Sequence, residues 1–458
     1  MSGMDGLRMM CAALMAWCLG VGCGKEEPEH RPESEFVNPS PSSPAAKPRF
    51  NPATVKGDPL VAALKEAKGN LRLALGLVAP GRDPSGRDDV RFDVSGNVVA
   101  ARLQNLPLTD EGLSEIAGLT RIETLFLQGT KVTSAGMEHL KGMTNLSRLS
   151  LSNTEVGDDG LAYLPNLGRL QFLYMRNTPV TGAGLRHLKR LPFLQHLHLE
   201  NTKVDFPGLL DLGKALPNCR FEFDLGDDLL NAMVRTRGDL AGALVEKRVA
   251  EQVQFNSRRG IEFLLVKDVR LTDAGFRMLA NQREMKRLWL INSKITSKSM
   301  PFIRGMPALE ELVLKQAQID DNGLAQIAGN TRLTFLSLQE TQVTDAGIKY
   351  LRAMSGLESL SLNNTTVSDE GVAQLRQLRK LETLALNGTQ VTDASLAVLE
   401  SMSELKEIHL QETAVTNEGL ERLIKLRQLG KVYLAKSKVD LKGVRLLQKA
   451  LPACKIFY

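Results

Sequence analysis

Aromatic residues and cysteines are scarce in this chain of 458 residues. Phe, Trp and Tyr make up only 5% of it, and none of the five Cys residues belongs to a CxxC pair. Cysteine spacing therefore gives no zinc-ribbon or dithiol redox motif. The low aromatic content is typical of an interior built mainly from leucine. Hydrophobic residues make up 43% of the chain, which is enough for such an interior.

Residues of like charge do not form long consecutive runs either. The chain has 58 basic and 52 acidic residues, with a formal net charge of +6, and no block of Lys and Arg interrupts the mixture. The bases lack the interleaved aromatics of a nucleic-acid groove, so we do not expect a nucleic-acid partner. The net charge still favours an acidic partner or an anionic surface.

Catalytic motifs are absent as well. The sequence contains no G-x-S-x-G elbow, no P-loop, no H-E-x-x-H and no G-x-G-x-x-G placed after a strand. We therefore predict that the protein is not an enzyme and has no cofactor.

What the chain does contain is a 24-residue period. One position per repeat is Thr in eight cases and Ser in two; the residue two places later is always aliphatic, and the residue six places later is Gly in eleven of thirteen repeats. We call this position the Thr slot. Its members are Leu106, Thr130, Thr154, Thr178, Thr202, Val269, Ser293, Ala317, Thr341, Thr365, Thr389, Thr413 and Ser437.

Each repeat predicts a strand, a turn and a helix. A Leu-x-Leu pair such as Leu125 and Leu127 precedes the Thr slot, and its period of two indicates a short strand with one buried face. Thr or Asp after the slot, as at Thr344, is a helix N-cap residue. The slot hydroxyl is predicted to pair backbone groups in the turn. One unit cannot bury its own apolar stripe, so the repeats must stack into a parallel sheet with helices on the other side.

The segment from Leu381 to Leu399 resembles the leucine-rich repeat family, and its T-D-x-[GS]-L pattern is similar to the 24-residue bacterial class. The resemblance covers roughly residues 98–224 and 260–458, with Thr where Asn or Cys is usual in the family. It implies an α/β solenoid with a curved parallel sheet on the concave side and helices on the convex side. It also implies a protein partner bound on the concave sheet, without identifying that partner.

Two internal duplications predict two capped modules in tandem. Residues 214–223 match residues 449–458 as closing strands, and residues 58–75 match residues 227–244 as helical caps. The first module is residues 58–224, with a helical cap at 58–97 and five repeats. The second is residues 225–458, with a cap at 227–259 and eight repeats. Cys219 and Cys454 occupy equivalent closing positions, and we expect buried thiols there rather than a disulfide.

The N-terminal residues predict export. Residues 1–22 have the basic flank and short apolar core of a signal peptide. The apolar core is shorter than a membrane-spanning helix requires. The sequence before Cys23 resembles a bacterial lipobox, which implies lipidation of Cys23 and a membrane contact through that anchor alone; plain secretion is the alternative. Residues 23–57 are rich in Pro and Ser and predict a disordered tether. The expected location is the cell envelope.

Residues that alternate with the buried leucines should form the partner-binding face. Trp289 is the sharpest candidate, because a large apolar side chain there is typical of a contact site. The alternative is that the second cap covers this patch. The predicted partner-binding residues are Phe126, Arg148, Phe172, Tyr174, Arg176, His196, His198, Leu265, Trp289, Ile291, Val313, Phe335 and Tyr433.

A metal site is a second hypothesis for the same face. His196 and His198 project from one strand, with Glu222 on the neighbouring strand, and two imidazoles with a carboxylate could bind a divalent metal. Such a site would make the protein a metal-binding protein or a metal-dependent hydrolase. A third alternative is a purely structural envelope protein. The leading prediction is a non-enzymatic recognition or scaffold module.

Overall fold

A computed structural model describes residues 58–66, 90–246 and 249–458, all within one compact unit, Phe50–Tyr458. The predicted signal peptide, Cys23 and the tether lie outside the described residues. Within the described part of the chain, no helix combines the length and apolar character needed to cross a membrane.

The strands form two sheets that are parallel except at the first pair of each. The seven-stranded sheet runs in chain order through β1 (Val90–Phe92), β2 (Val98–Arg102), β3 (Thr124–Phe126), β4 (Arg148–Ser150), β5 (Phe172–Tyr174), β6 (His196–His198) and β7 (Arg220–Glu222). The ten-stranded sheet comprises β8 (Gln252–Phe255), β9 (Ile261–Lys267), β10 (Arg287–Ile291), β11 (Glu311–Val313), β12 (Phe335–Ser337), β13 (Ser359–Ser361), β14 (Thr383–Ala385), β15 (Glu407–His409), β16 (Lys431–Tyr433) and β17 (Lys455–Phe457).

Short helices return the chain between strands. The α-helices are α1 (Pro59–Glu66), α2 (Asp110–Glu115), α3 (Asp158–Leu161), α4 (Phe206–Ala215), α5 (Asp228–Arg235), α6 (Leu240–Val245), α7 (Asp273–Phe276), α8 (Met300–Arg304), α9 (Asp321–Ile327), α10 (Asp345–Ile348), α11 (Asp369–Gln374), α12 (Asp393–Leu399), α13 (Asn417–Leu423) and α14 (Leu441–Ala450). The 3₁₀ helices are Gly136–Leu140, Leu164–Asn166, Gly184–Arg190, Arg277–Leu279, Ser297–Ser299, Lys349–Ala353 and Leu375–Gln377.

Leucine forms the interior, as the Leu-x-Leu pattern predicts. Leu125 and Leu127 are fully buried, while Phe126 between them faces the other side and is half-buried. The same alternation repeats through both sheets and gives one buried cluster per sheet. Burial of each leucine contributes about 2 kcal/mol before the loss of conformational entropy is subtracted. The fold class predicted from the sequence, an α/β leucine-rich repeat solenoid, is confirmed.

The Thr slot pairs backbone groups of the turn. The Thr130 hydroxyl donates to the Leu127 carbonyl at 2.7 Å, and the Thr365 hydroxyl donates to the Leu362 carbonyl at 2.7 Å. The same bond recurs at 2.6 to 2.8 Å for every Thr in the slot. These hydroxyls donate to carbonyl oxygens inside the turn, and at Leu127 they add to a 3.2 Å bond from the Thr130 backbone N–H, so they have a structural function.

A second polar ladder joins one repeat to the next. The Asp110 carboxylate accepts from the Thr133 backbone N–H at 2.8 Å and from its hydroxyl at 2.6 Å. Each later repeat can therefore dock its helix start on an aspartate of the repeat before it. Nine such rungs are formed by Asp58 with Thr109, Asp110 with Thr133, Asp158 with Thr181, Asp227 with Thr272, Asp273 with Thr296, Asp321 with Thr344, Asp345 with Ser368, Asp369 with Thr392 and Asp393 with Thr416.

Two rungs reverse the direction of the bond. At Asp320 the acceptor is on the later repeat, and the earlier repeat supplies the Ser297 hydroxyl at 2.6 Å. At Asp440 the earlier repeat supplies the Asn417 amide at 2.8 Å. A carboxylate therefore always meets a donor in these rungs, since two facing carboxylates would repel each other.

The segments predicted as helical caps also contain strands. Their aspartates, Asp58 and Asp227, form the first rungs with Thr109 and Thr272, so the caps replace a preceding repeat. After the helices, β1 and β8 pair antiparallel with β2 and β9. These added strands cover sheet edges that would otherwise present unpaired backbone groups. The domain boundaries themselves stay a prediction.

The joint between the two sheets is a polar clamp. Arg270 donates to Asp224 at 2.7 Å and to Asp228 at 2.9 Å. The Asn231 amide donates to Asp224 at 3.0 Å, and its oxygen accepts from the Leu225 N–H at 2.9 Å. Hydrogen bonding from Arg270 lowers the pKa of Asp224 to about 2. The ionised form is therefore bound most strongly.

Replacing Arg270 by Gln should weaken this clamp and its acid response. Because the folded-state pKa of Asp224 is below its usual 3.8, its stabilisation is present above pH 3.8 and disappears as the pH falls to about 2. We expect R270Q to be about 1 kcal/mol less stable than the wild type at pH 6, a small effect because both side chains are half-exposed. Between pH 5 and pH 2, the free energy of unfolding should fall less for R270Q than for the wild type. Urea unfolding at these pH values measures it.

The matched control is Arg332→Gln, which removes an exposed 3.4 Å ion pair with Glu310 inside the second sheet. Its free energy of unfolding, measured with urea, should change by less than about 0.5 kcal/mol at every pH. Equal acid profiles for R270Q and the wild type would contradict the assigned role of Arg270.

Candidate interaction surface

The face of each sheet that points away from the leucine core carries the variable residues; we call it the sheet face. Its side chains line up in rows because neighbouring parallel strands are in register. One row of the first sheet contains Arg148, Phe172, His196 and Arg220, and the next contains Ser150, Tyr174, His198 and Glu222.

The first row is a stack of cations and rings. The Arg148 guanidinium lies 4.8 Å from the centre of the Phe172 ring, and Phe172 stacks on His196 with 4.8 Å between ring centres. A similar contact in the other row places Arg102 6.0 Å from the Phe126 ring. Arg148 is exposed, while the rings of Phe172 and His196 are half-buried. The row therefore offers a flat, positively charged aromatic surface.

The second row holds a neutral histidine. Tyr174 stacks on His198 with ring centres 4.6 Å apart, and the Arg176 guanidinium lies 3.0 Å from His198 Nδ1. Arg176 also pairs with Glu200 at 2.7 Å. Burial lowers the pKa of His198, so its neutral form accepts the Arg176 hydrogen bond at Nδ1 and carries its proton on Nε2.

The contacts of this region do not support the proposed metal site. His198 Nδ1 is occupied by Arg176, and Glu222 pairs with Arg220 at 2.7 Å. Within residues 58–66, 90–246 and 249–458, no three His, Cys, Asp or Glu side chains are grouped to hold a metal ion. His196 instead stacks on Phe172. The three candidates lie side by side, but each already has another partner.

The second sheet face carries an apolar cluster of six residues. Phe263, Leu265, Ile291 and Val313 are buried, and Trp289 and Phe335 pack against them half-buried. Leu265, Ile291 and Val313 expose only 5%, 6% and 8% of their surface, because their neighbours on the same face cover most of them. Their contact with a partner stays a prediction. The accessible parts of this cluster are Trp289 and Phe335.

Polar groups hold the edge of the apolar cluster in place. Trp289 Nε1 donates to Glu311 at 3.2 Å, and Arg287 lies 4.6 Å from the Phe263 ring centre. Burial raises the pKa of Glu311. A partner that covers Trp289 would bury this indole–carboxylate bond further.

The second cap does not form part of this cluster. Its helices α5 and α6 place Leu229, Ala232, Met233, Ala243 and Leu244 in the leucine core. None of the six described cluster members comes from that cap. The alternative that the cap covers the patch is therefore not supported by these contacts.

Farther along the second sheet, small side chains are followed by a second group of rings. His409, Tyr433 and Phe457 stack with ring centres 4.2 and 4.5 Å apart, and Lys431 and His409 both bind Glu407 at 2.9 Å. His409 is buried and Tyr433 half-buried. The residues in the same row between Val313 and this stack are Ser337, Ser361 and Ala385.

We call the strip from Phe335 to Tyr433 the trough. Its floor of three small residues spans about 15 Å at the usual strand spacing. In the same row, Val313 and then Trp289 follow the floor on one side, and the buried His409 and then Tyr433 follow it on the other. Phe335 lies beside the floor on the same strand as Ser337. The sequence signal for it is the change from large to small residues at every 24th position.

Comparisons with known proteins agree with the repeat. A family model described as "Leucine Rich repeat" matches residues 142–164. No curated protein matches the chain. The matched segment spans about one 24-residue period of the chain. A leucine-rich repeat fold suggests a protein-interaction module.

Solved structures show similar folds at low identity. An internalin, InlF, from Listeria monocytogenes is 18% identical, with 78% of this chain and 86% of that chain covered and a TM-score of 0.32. Internalin C2 from the same organism is 21% identical, covering 43% of this chain and 79% of that one, with a TM-score of 0.33. A PEPR1–AtPEP1 structure is 15% identical, covering 77% and 50%, with a TM-score of 0.28.

Proposed function

We propose that the protein is a non-enzymatic recognition module that binds a protein partner on its sheet faces. The observation that carries the proposal is the trough of the second sheet, where accessible rings stand on both sides of a small-residue floor. A protein side chain or a short segment can enter such a depression and bury apolar area against Trp289, Phe335 and Tyr433.

The first sheet offers a different chemistry to the same partner. Arg148 over Phe172, and Tyr174 beside the Arg176–His198 pair, present cations that are already positioned by rings. Such prearranged cations suit carboxylate groups on the partner, because little side-chain entropy is lost on binding. The two sheet faces together thus suit a partner with both apolar and acidic groups.

Photo-crosslinking tests the surface directly. A benzoylphenylalanine placed at Trp289 or Tyr174 should crosslink one and the same protein, and excess unlabelled wild type should abolish the product. The matched control position is Phe193, an exposed aromatic residue in the turn before β6 and off the sheet face. Equal crosslinking at Phe193, or products that do not saturate, would sink the proposal and favour a purely structural protein.

The location is a further part of the proposal. The apolar N-terminus and the residues before Cys23 support export to the cell envelope with a lipid anchor on Cys23. Cys23→Ser should move the protein from the membrane fraction to the soluble fraction. Unchanged fractionation would exclude the anchor, and release of the unmutated protein into the medium would support secretion instead.

A further inference from the structure

We propose that the exposed side of the closing helix α14 is a docking surface for anionic phospholipid membranes. This inference goes beyond the proposed protein recognition and does not depend on it. Positive charge is concentrated at the C-terminal end of the chain. Residues 421–458 contain ten Lys or Arg and two Asp or Glu, so this stretch carries +8, while the whole chain carries +6.

Six of these ten cations have no ion-pair partner among the described residues. The other four bind carboxylates of earlier repeats: Arg422 and Lys425 bind Glu400, at 3.2 and 2.8 Å, while Lys431 and Lys436 pair at 2.9 and 2.6 Å with Glu407 and Glu412. The six unpaired side chains are all exposed; they are Arg427, Lys438, Lys442, Arg445, Lys449 and Lys455.

Three of the unpaired cations share one side of α14. The helix buries Gly443, Val444 and Leu447, so its period places Lys442, Arg445 and Lys449 together on the opposite side. Leu441 and Leu446 flank them and are 52% and 42% exposed. Like charges three and four residues apart weaken a helix, so the arrangement costs stability.

Nearby acidic groups do not neutralise this side of the helix. Glu418 and Glu421 occupy the equivalent positions of the neighbouring helix α13, yet neither forms an ion pair with α14 in the described part of the chain. Asp440 is engaged by the Asn417 amide at 2.8 Å and by the backbone N–H groups of Lys442 and Gly443.

The first module provides an internal comparison. The equivalent helix α4 has Pro207 and Leu210 where α14 has Lys442 and Arg445. Helix α4 packs against α5 of the second cap, with Leu210 beside Gly238, and Arg237 donates to the Pro217 carbonyl, while Pro207 and Lys214 stay exposed. Lys214 is thus the one cation at these three positions of α4, whereas all three are cations in α14.

At the closing end of the second module, Gln448 pairs backbone carbonyls near the end of α14. Gln448 stands where the first module has Gly213, and its amide donates to the Pro452 and Cys454 carbonyls, both at 3.1 Å. The carbonyl that Arg237 of the next cap binds in the first module is thus paired internally in the second.

The chemistry of the surface favours a membrane over a protein or a nucleic acid. Its cations are long, exposed and not positioned by hydrogen bonds, so recognition is Coulombic rather than stereospecific. Phospholipid headgroups can move laterally to gather beneath such cations, and exposed leucines can enter the boundary of the acyl chains. Phe457 and Tyr458 add two exposed rings at the same end.

Vesicle sedimentation tests the proposal with residues 50–458, a compact unit that excludes both the signal-like segment and Cys23. We expect binding to phosphatidylcholine vesicles that contain about 30% phosphatidylglycerol, no binding to pure phosphatidylcholine, and loss of binding as salt rises toward about 0.5 M. K442Q/R445Q/K449Q should weaken binding at least about tenfold, and L441S/L446S should weaken it less.

The matched control is K131Q/K203Q/K294Q, which removes three exposed, unpaired lysines at equivalent turn positions elsewhere and changes the net charge equally. It should bind as the wild type does. Equal loss in both triple variants, or wild-type binding by the α14 variant, would overturn the site. Tighter binding to polyglutamate or to DNA than to the vesicles would overturn the membrane as its ligand.

Discussion

Thr416→Asp should lower the free energy of unfolding by about 3 kcal/mol, and adding Asp393→Asn should restore most of the loss. In the wild type, the Asp393 carboxylate accepts from the Thr416 N–H at 2.8 Å and from its hydroxyl at 2.6 Å. The substitution places a second carboxylate where the donor was. Two half-buried carboxylates at contact distance repel each other and compete for one backbone N–H.

The rescue has a model in the next rung of the same ladder. There the later repeat carries an aspartate, Asp440, and the earlier repeat carries Asn417, whose amide donates to it at 2.8 Å. The Asn417 oxygen still accepts from the Asp440 N–H at 3.1 Å. T416D/D393N recreates this pair one repeat earlier, so both polar groups again have partners.

Urea unfolding of the wild type, both single variants and the double variant measures the coupling as a double-mutant cycle. D393N alone should cost about 1 kcal/mol, because the Thr416 hydroxyl can turn and accept from the amide. The penalty of T416D should shrink as the pH falls, because one of the two facing carboxyls then holds a proton and donates it to the other. Additive effects at neutral pH would show that the two positions do not face each other.

The sequence predicted the parts of this fold that depend on a local period. Leu125 and Leu127 alternate with Phe126, so their burial follows from strand geometry before any partner strand is known. The bond from the Thr130 hydroxyl to a carbonyl three residues earlier is equally local. A single repeat therefore suffices to predict its strand, its turn and the polar group that the turn must satisfy.

The ladder between repeats was not predicted, because it joins side chains 23 residues apart. Thr344 suits the N-cap of the helix in its own repeat, and the sequence predicts that role alone for it. Asp321 lies at the start of the helix one repeat earlier. Their mutual bond at 2.7 Å becomes visible only when stacking places one helix start against the next. Alternation likewise showed which face Leu265 and Ile291 occupy, but not that their neighbours on that face bury them.

The near-invariant glycine of the repeat is explained by the same ladder. An added Cβ at Gly347 would overlap the Asp321 Oδ1 atom of the preceding repeat, while the backbone there is ordinary helix. The exceptions to glycine are Ser299 and Ser395, which are fully buried. Their hydroxyls donate to Asp273, at 2.5 Å, and to Asp369. A serine at this position displaces the carboxylate, but its hydroxyl also donates a hydrogen bond to that carboxylate.

Gly347→Ala should consequently destabilise the protein more than Gly347→Ser, although serine is the larger residue. We expect a loss of about 3 kcal/mol for Ala, which forces the Asp321 carboxylate aside without giving it a new donor. The loss for Ser should be about 1 kcal/mol, because its hydroxyl can donate to Asp321. Urea unfolding at pH 7 compares the two.

Acid unfolding separates the hydrogen bond from simple tolerance of volume. Burial raises the pKa of Asp369, but hydrogen bonds from Ser395 and Thr392 outweigh burial and leave the pKa below its usual 3.8. A carboxyl with a lowered pKa stabilises the fold above pH 3.8 and loses that contribution as the pH falls further. Ser395→Ala should therefore cost more stability at pH 7 than in acid, where the Asp369 carboxyl is protonated and the Ser395 donor contributes less.

Gly329→Ala is the control, because no atom lies within 4 Å of an added Cβ at that glycine. It should change the free energy of unfolding by less than about 1 kcal/mol in either direction. If G347S were as unstable as G347A at pH 7, the hydroxyl would have no part in accommodating the side chain. The serines at positions 299 and 395 would then require a different explanation, such as a local shift of the aspartate backbone.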